Sequence, residues 1–313
     1  MARRAAGAGM SDPLVWLPFD PAELGDPPAG LRYEVVDPTE RVPDSVGEVR
    51  FYVPPYQVGA RVAEVLPRMT SLEVVQTMTA GVDNLRGAIP DGVLLCNGRG
   101  IHDTSTAELA VTLVLASLRG VPGFVRDQDR HSWRTGWHPA LADKRVVIVG
   151  YGAVGAAVER RLLAFEVEVV RVARSARDGV HAITELPALL PEADVVVLVV
   201  PLTEETRGLV DARFLGALKD GALLVNVARG AVVDTAAVVD ALHTGRLHYA
   251  TDVAEEEPLP EDHPLWDAPN LLVSPHVGGA SSAMWPRAHR LVRDQLRRYA
   301  AGEDLVNVMS GSY

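Results

Sequence analysis

Residues 144–155, Lys144-Arg145-Val146-Val147-Ile148-Val149-Gly150-Tyr151-Gly152-Ala153-Val154-Gly155, decide the fold of this chain. Four branched apolar residues in succession, 146–149, read as a strand covered on both faces, as in a parallel sheet. Glycines follow at once with G-x-G-x-x-G spacing. The first permits a tight turn, the second lets the backbone approach a pyrophosphate, and the third lets the next helix pack closely on the strand. That helix, expected over 154–164, offers free N–H groups and a positive dipole end to the phosphates. Gly150, Gly152, Ala153, Val154 and Gly155 are therefore expected to hold a dinucleotide.

The next strand, 167–172, bears on which dinucleotide. A site for NAD carries an acid about 20 residues downstream, where it accepts from the ribose 2′-hydroxyl. Here the strand runs into Ala173-Arg174-Ser175-Ala176-Arg177, with no carboxylate at its end. Arg174 and Arg177 would attract a 2′-phosphate, and the Ser175 hydroxyl can donate to it. NADP(H) is the expected cofactor, with NAD(H) the second choice.

Working outward, further strands are expected at 194–200, 222–227, 247–251 and 271–274, with a clear helix at 235–242. Six strands alternating with helices make a doubly wound sheet. Upstream, short apolar runs at 14–17, 35–36, 49–53, 72–76 and 93–96 are punctuated by proline and glycine, and 57–66 has a helical period. They indicate a second, smaller parallel α/β sheet. Residues 104–118 read as one long buried helix, 119–139 as a connecting segment with Trp133 and Trp137, and 281–299 as a terminal helix.

Composition excludes several classes. The 313 residues carry 30 Lys and Arg against 41 Asp and Glu, a formal charge of −11. A chain that acidic repels phosphate backbones, so no nucleic-acid partner is expected. A single cysteine, Cys96, rules out an internal disulfide framework and a four-cysteine zinc site, and no metal is expected. It favours a reducing compartment, and the cytoplasm is the expected location. Residues 1–10 open with positive charge but lack an apolar run, so they read as an extension, with Met10 a second candidate start. The most apolar helical stretch, 109–118, is half the ~20 residues a membrane span needs.

Three strand ends bring the chemistry: Asn226-Val227-Ala228-Arg229-Gly230, Asp252-Val253-Ala254-Glu255-Glu256-Glu257-Pro258, and Ser274-Pro275-His276-Val277-Gly278-Gly279. Ligands of open α/β sheets bind outside the carboxyl ends of the strands. Arg229 is a two-pronged donor for a carboxylate. His276 can pass a proton to a carbonyl oxygen near neutral pH, and Glu257 is the candidate partner for its other nitrogen. A lone histidine is more often a capping residue, and Glu255 and Glu256 read as solvated, so spacing alone leaves this triad at even odds.

The ordered set of these segments, with 201–206 (Pro-Leu-Thr-Glu-Glu-Thr) and 76–84 (Gln-Thr-Met-Thr-Ala-Gly-Val-Asp-Asn), resembles the D-isomer-specific 2-hydroxyacid dehydrogenase family over nearly the whole chain. The resemblance implies an inserted architecture, with a Rossmann cofactor domain at 106–280 inside a flavodoxin-like substrate domain at 1–105 plus 281–313. It implies that Arg229, Glu257 and His276 are catalytic, and that the N–H groups of Ala80 and Gly81 help hold the substrate carboxylate. Val200, Pro201, Thr206, Val227, Ala228, Asp252, His276 and Gly278 would surround the cofactor. Arg174 stands where most of the family has Asp, which is similar to the NADPH-using glyoxylate/hydroxypyruvate reductase branch. The implied reaction reduces a small 2-keto acid to the D-2-hydroxy acid in a homodimer, with 119–139 giving apolar anchors. Two alternatives stay open: a dinucleotide-sensing regulatory protein on the same fold, and a short phosphoglycerate dehydrogenase-like enzyme. Formate dehydrogenases of the superfamily carry Gln where Glu257 stands.

Overall fold

The computed structural model describes residues 11–309 apart from 57, 58 and 84. Met10, Gln57 and Asn84 therefore lie outside the described residues. The chain forms two compact units, one of Met1–His102 with Ser282–Tyr313 and the other of Asp103–Ser281.

The first unit is built on five parallel strands: β1 (Leu14–Leu17), β2 (Arg32–Val35), β3 (Val49–Tyr52), β4 (Val74–Gln76) and β5 (Leu94–Cys96). Their order is β2-β1-β3-β4-β5. Alternation along β1 sends Val15 and Leu17 to one face and Leu14 and Trp16 to the other. The first pair packs with Phe51, Ala288, Val292 and Leu296, so the terminal helix Met284–Ala301 covers that face. The second pair packs with Tyr52, Val62, Val65 and Leu66. Where 35–36 is expected, β2 begins three residues earlier and ends on Val35, at Arg32–Val35, pairing Leu14 to Arg32 through Leu17 to Val35. It is an edge strand whose residues stay half-buried or exposed, which leaves little apolar signal to place it.

The second unit holds seven parallel strands: β6 (Arg145–Val149), β7 (Glu168–Ala173), β8 (His181–Ala182), β9 (Val195–Leu198), β10 (Leu223–Asn226), β11 (His248–Thr251) and β12 (Leu271–Val273). Their order is β12-β11-β10-β9-β6-β7-β8. The six expected strands are joined by β8, whose two residues are too short to show a period. Val147 and Val149 enter one core and Val146 and Ile148 the other, so the continuous apolar run serves two covered faces. Helix Asp103–Leu118 fills the second of these with Ala107, Ala110, Val111 and Val114. Strand order reverses between β9 and β6, where a ligand crevice forms at the carboxyl ends of such sheets.

The connecting segment is not wholly irregular. Val121–Asp129 is a helix, entered through Gly120 in the left-handed region and Pro122 in its first turn. Its Asp127 carboxylate pairs with Arg134, which fixes the path beyond the helix. Among the described residues no single helix is long and apolar enough to cross a membrane, and the one bent pair with that length and composition turns by 67°.

Candidate active site

The glycine loop sits at the strand-order reversal. Gly150 has φ 108°, and a Cβ on it would lie 2.6 Å from the Val199 carbonyl just past β9. Gly155 passes so near the Gly150 carbonyl that a Cβ would come within 2.5 Å. Gly152 faces open space and precedes helix Ala153–Leu162 with no side-chain cap. The first N–H groups of that helix, from Ala153, Val154 and Gly155, have no intrahelical partner. Free N–H groups at a helix N-terminus, with open space at Gly152, fit a pyrophosphate.

Arg174 and Ser175 are exposed just past the end of β7. Arg177 donates to the Tyr151 carbonyl at 2.5 Å, and its guanidinium lies 5.8 Å from the Tyr151 ring centroid. That ties Arg177 to the glycine loop itself. Tyr151 is held in turn: its hydroxyl bonds the buried Glu159 carboxylate, which pairs with Arg171. The Glu159 carboxyl is pushed up by burial but ends below the usual range, because Arg171 and Tyr151 both donate to it. Nothing in the spacing singles out Tyr151, Glu159 or Arg171; the one signal is the acidic Glu159 among the apolar positions of helix Ala153–Leu162.

Three strand ends of this unit deliver the remaining candidates. Beyond β10, the Asn226 side chain folds the chain back, accepting from the Ala228 N–H at 3.0 Å and donating to the Arg229 carbonyl at 3.0 Å. Arg229 Nη1 donates to the Ala228 carbonyl at 2.7 Å. A Cβ on Gly230 would fall 1.9 Å from the Ala254 carbonyl carbon, so only glycine lets this loop press against the segment carrying Glu257. Glu257 Oε1 accepts from the Ala254 N–H at 3.0 Å, and Oε2 lies 2.5 Å from His276 Nδ1.

His276 is placed by Asp252. The Asp252 carboxylate, almost fully buried, accepts from the Ser274 hydroxyl at 2.6 Å and from the N–H groups of Val277 and Gly278 at 2.9 and 2.8 Å. Its carbonyl takes the His276 N–H at 2.7 Å. This clamp holds His276 at φ 53°. The clamp also explains Gly278, where a Cβ would meet Asp252 Oδ2 at 2.9 Å. The hydrogen bond to Glu257 raises the imidazole pKa, against partial burial and the Arg229 charge. Burial acts to raise Glu257, but the contacts from His276 and the Ala254 N–H bring it below the usual carboxylate range. With Nδ1 engaged, Nε2 is the nitrogen left to meet a substrate.

The other candidates are placed as follows. Val200, Val227 and Ala228 are buried past β9 and β10, beside the exposed Pro201. The Thr206 hydroxyl donates to the Pro201 carbonyl at 2.7 Å and closes the 201–206 turn. Ala80 and Gly81 belong to the first unit, past β4, and are half-buried. Among the described residues no group of three or more His, Cys, Asp or Glu could hold a metal ion.

Comparison with known proteins follows the same lines. Residues 111–278 match the family model for the NAD binding domain of D-isomer specific 2-hydroxyacid dehydrogenases. A glyoxylate reductase of Korarchaeum cryptofilum is 33% identical over 286 residues, 87% of this chain and 84% of that protein. A D-3-phosphoglycerate dehydrogenase of Mycobacterium tuberculosis is 35% identical over 80% of this chain, which spans 49% of that longer relative. The crystal structure of an NADPH-dependent glyoxylate/hydroxypyruvate reductase from Sinorhizobium meliloti, with NADP and sulfate, is 29% identical over 96% of this chain and 98% of its own, with a TM-score of 0.81.

Proposed function

Because the chain belongs to the D-isomer specific 2-hydroxyacid dehydrogenase family, we propose that it reduces a small 2-keto acid of the glyoxylate/hydroxypyruvate class to the D-2-hydroxy acid, with NADPH as the preferred reductant. The observation that carries the reading is the Glu257–His276 pair, set beside Arg229 by the Gly230–Ala254 contact. The nicotinamide, when bound, supplies the hydride. The glycine loop and the first turn of helix Ala153–Leu162 would hold the pyrophosphate of a bound cofactor, and Arg174, Ser175 and Arg177 would receive a 2′-phosphate.

Arg229 holds the substrate carboxylate through its two-pronged guanidinium. The family resemblance implies that the N–H groups of Ala80 and Gly81 are donors to a substrate carboxylate. His276 Nε2 gives its proton to the keto oxygen, and Glu257 stabilises the charged imidazolium and fixes its tautomer. Asp252 keeps His276 in place through the clamp.

A panel of 2-keto acids assayed with NADPH and with NADH tests the reading. Glyoxylate and hydroxypyruvate should be reduced with the higher kcat/KM, and NADPH should outperform NADH. Equal use of NADH would remove the cofactor preference, and turnover confined to 3-phosphohydroxypyruvate would favour a phosphoglycerate dehydrogenase.

A further inference from the structure

The loop 77–81 past β4 has its backbone carbonyls held one after another from within the first unit. The Met78 carbonyl accepts from His102 Nε2 at 2.9 Å. The Thr79 carbonyl accepts from the Gly98 N–H at 2.7 Å and the Thr77 hydroxyl at 2.9 Å. The Ala80 carbonyl accepts from Asn97 Nδ2 at 2.9 Å, and the Gly81 carbonyl from the Thr79 hydroxyl at 2.8 Å. A trans peptide is planar, so its N–H points opposite to the carbonyl of the preceding residue. Holding Thr79 O therefore aims the Ala80 N–H, and holding Ala80 O aims the Gly81 N–H. Neither of these two N–H groups donates to an acceptor among the described residues.

We propose that Asn97 and Thr77 are positioning residues: by fixing those two carbonyls they turn the Ala80 and Gly81 N–H groups outward as a preformed cradle for the substrate carboxylate. The proposal rests on the carboxylate anchor assigned to these N–H groups above. Asn97 and Thr77 are buried, at 4% and 2% exposure, so water does not compete for the contacts. Asn97 cannot flip, because its Oδ1 accepts from the Arg99 N–H at 3.2 Å, which leaves Nδ2 as the donor end. Its own carbonyl accepts from Gln76 Nε2 at 3.1 Å, and Gln295 of the terminal helix donates to Gln76 Oε1 at 2.6 Å. The glycine beside it is required: a Cβ on Gly98 would sit 2.6 Å from the Met78 carbonyl. A cradle fixed before binding spends no substrate affinity on ordering its donors.

Oxamate, a non-reducible 2-keto acid analogue, provides the test. Asn97→Asp sets a carboxylate against the Ala80 carbonyl, and Thr77→Val deletes one of the two donors to Thr79 O while keeping the shape. Asn97→Asp should raise the keto-acid KM and the oxamate Kd together by roughly tenfold or more, the scale of a lost contact to a charged group. Its kcat and NADPH affinity should stay near wild type. Thr77→Val should move the same two quantities less, and Thr77→Ser should restore them. In the wild type labelled with 15N-Ala and 15N-Gly, the Ala80 and Gly81 amide signals should shift on adding oxamate. No shift would overturn the anchor assignment, and with it this proposal. If the signals shift but both variants, folded by their remaining amide spectrum, keep oxamate affinity and KM within about twofold, the anchor stands and the positioning role is overturned. Should Asn97→Asp fail to fold, Thr77→Val against Thr77→Ser decides.

Discussion

At the scale of single residues, the proposed chemistry concentrates in one contact, His276 Nδ1 to Glu257 Oε2. If His276 is the proton donor for reduction, as proposed, the reaction needs the imidazolium; Glu257 raises the His276 pKa, so the rate should be full below that raised value and fall as pH climbs through it. Glu257→Gln removes the anion that favours the charged ring and should move this limb to lower pH. His276→Ala should lose kcat by roughly 10²–10⁴-fold with NADPH affinity retained. A pH–rate profile of the three proteins checks both, and a folded His276→Ala enzyme with wild-type turnover would exclude the mechanism. Arg174→Asp should lower the NADPH/NADH ratio of kcat/KM by roughly tenfold or more, since a phosphate contact is lost and a ribose acceptor gained. Arg229, Glu257 and His276 are candidates because each lies past a strand, where ligands bind, but spacing leaves them at even odds and only the family resemblance singles them out. Asp252 was picked out too, as a cofactor neighbour. Its clamp on His276 was not visible, because nothing in a linear chain says that the ends of β11 and β12 lie side by side.

At the scale of elements, glycines set how closely loops approach one another. Gly230 is the extreme case, with no room for even a methyl group against Ala254. Gly230→Ala should push the Arg229 loop off the 254–257 segment and cost about 3 kcal/mol, the upper range for overpacking a tight interior. A fall in the denaturant midpoint with a loss of turnover larger than the loss of NADPH binding checks this. The glycine-loop turn could be read because its spacing falls between a strand pattern and a helix pattern, the context a dinucleotide loop requires. Helix Val121–Asp129 could not, since Gly120, Pro122 and Gly123 each argue locally against a helix. Strand β8 escaped for the opposite reason, being two residues long.

At the scale of the whole molecule, each unit carries its own doubly covered parallel sheet. The segment after helix Asp103–Leu118 exposes an apolar set: Phe124 and Val125 on the short helix, then Trp133 at 94% and Trp137 at 103% exposure. Large aromatic side chains left in water mark an association surface. A homodimer built largely through the cofactor domains, with this segment contributing apolar anchors, is the expected state in solution. Light scattering at assay concentration should return twice the single-chain mass, and Trp133→Ser with Trp137→Ser should shift it toward one. A wild-type protein that scatters as a monomer would refute this.

The amino-acid sequence by itself determined the two-sheet α/β plan, the dinucleotide loop and the residue types offered at the strand ends. Each of these is written in local spacing: a run of branched residues, three glycines at fixed offsets, a charged residue after a strand. The tertiary structure alone decided which of those residues meet. It brought Tyr151 under Arg177, closed the Asp252 carboxylate around the His276 loop, and held the carbonyls of 78–80 with Thr77, Asn97, Gly98 and His102. Several of those partners are 20 or more residues apart in the chain, and they become neighbours only because parallel strands bring their carboxyl ends to one side of the sheet.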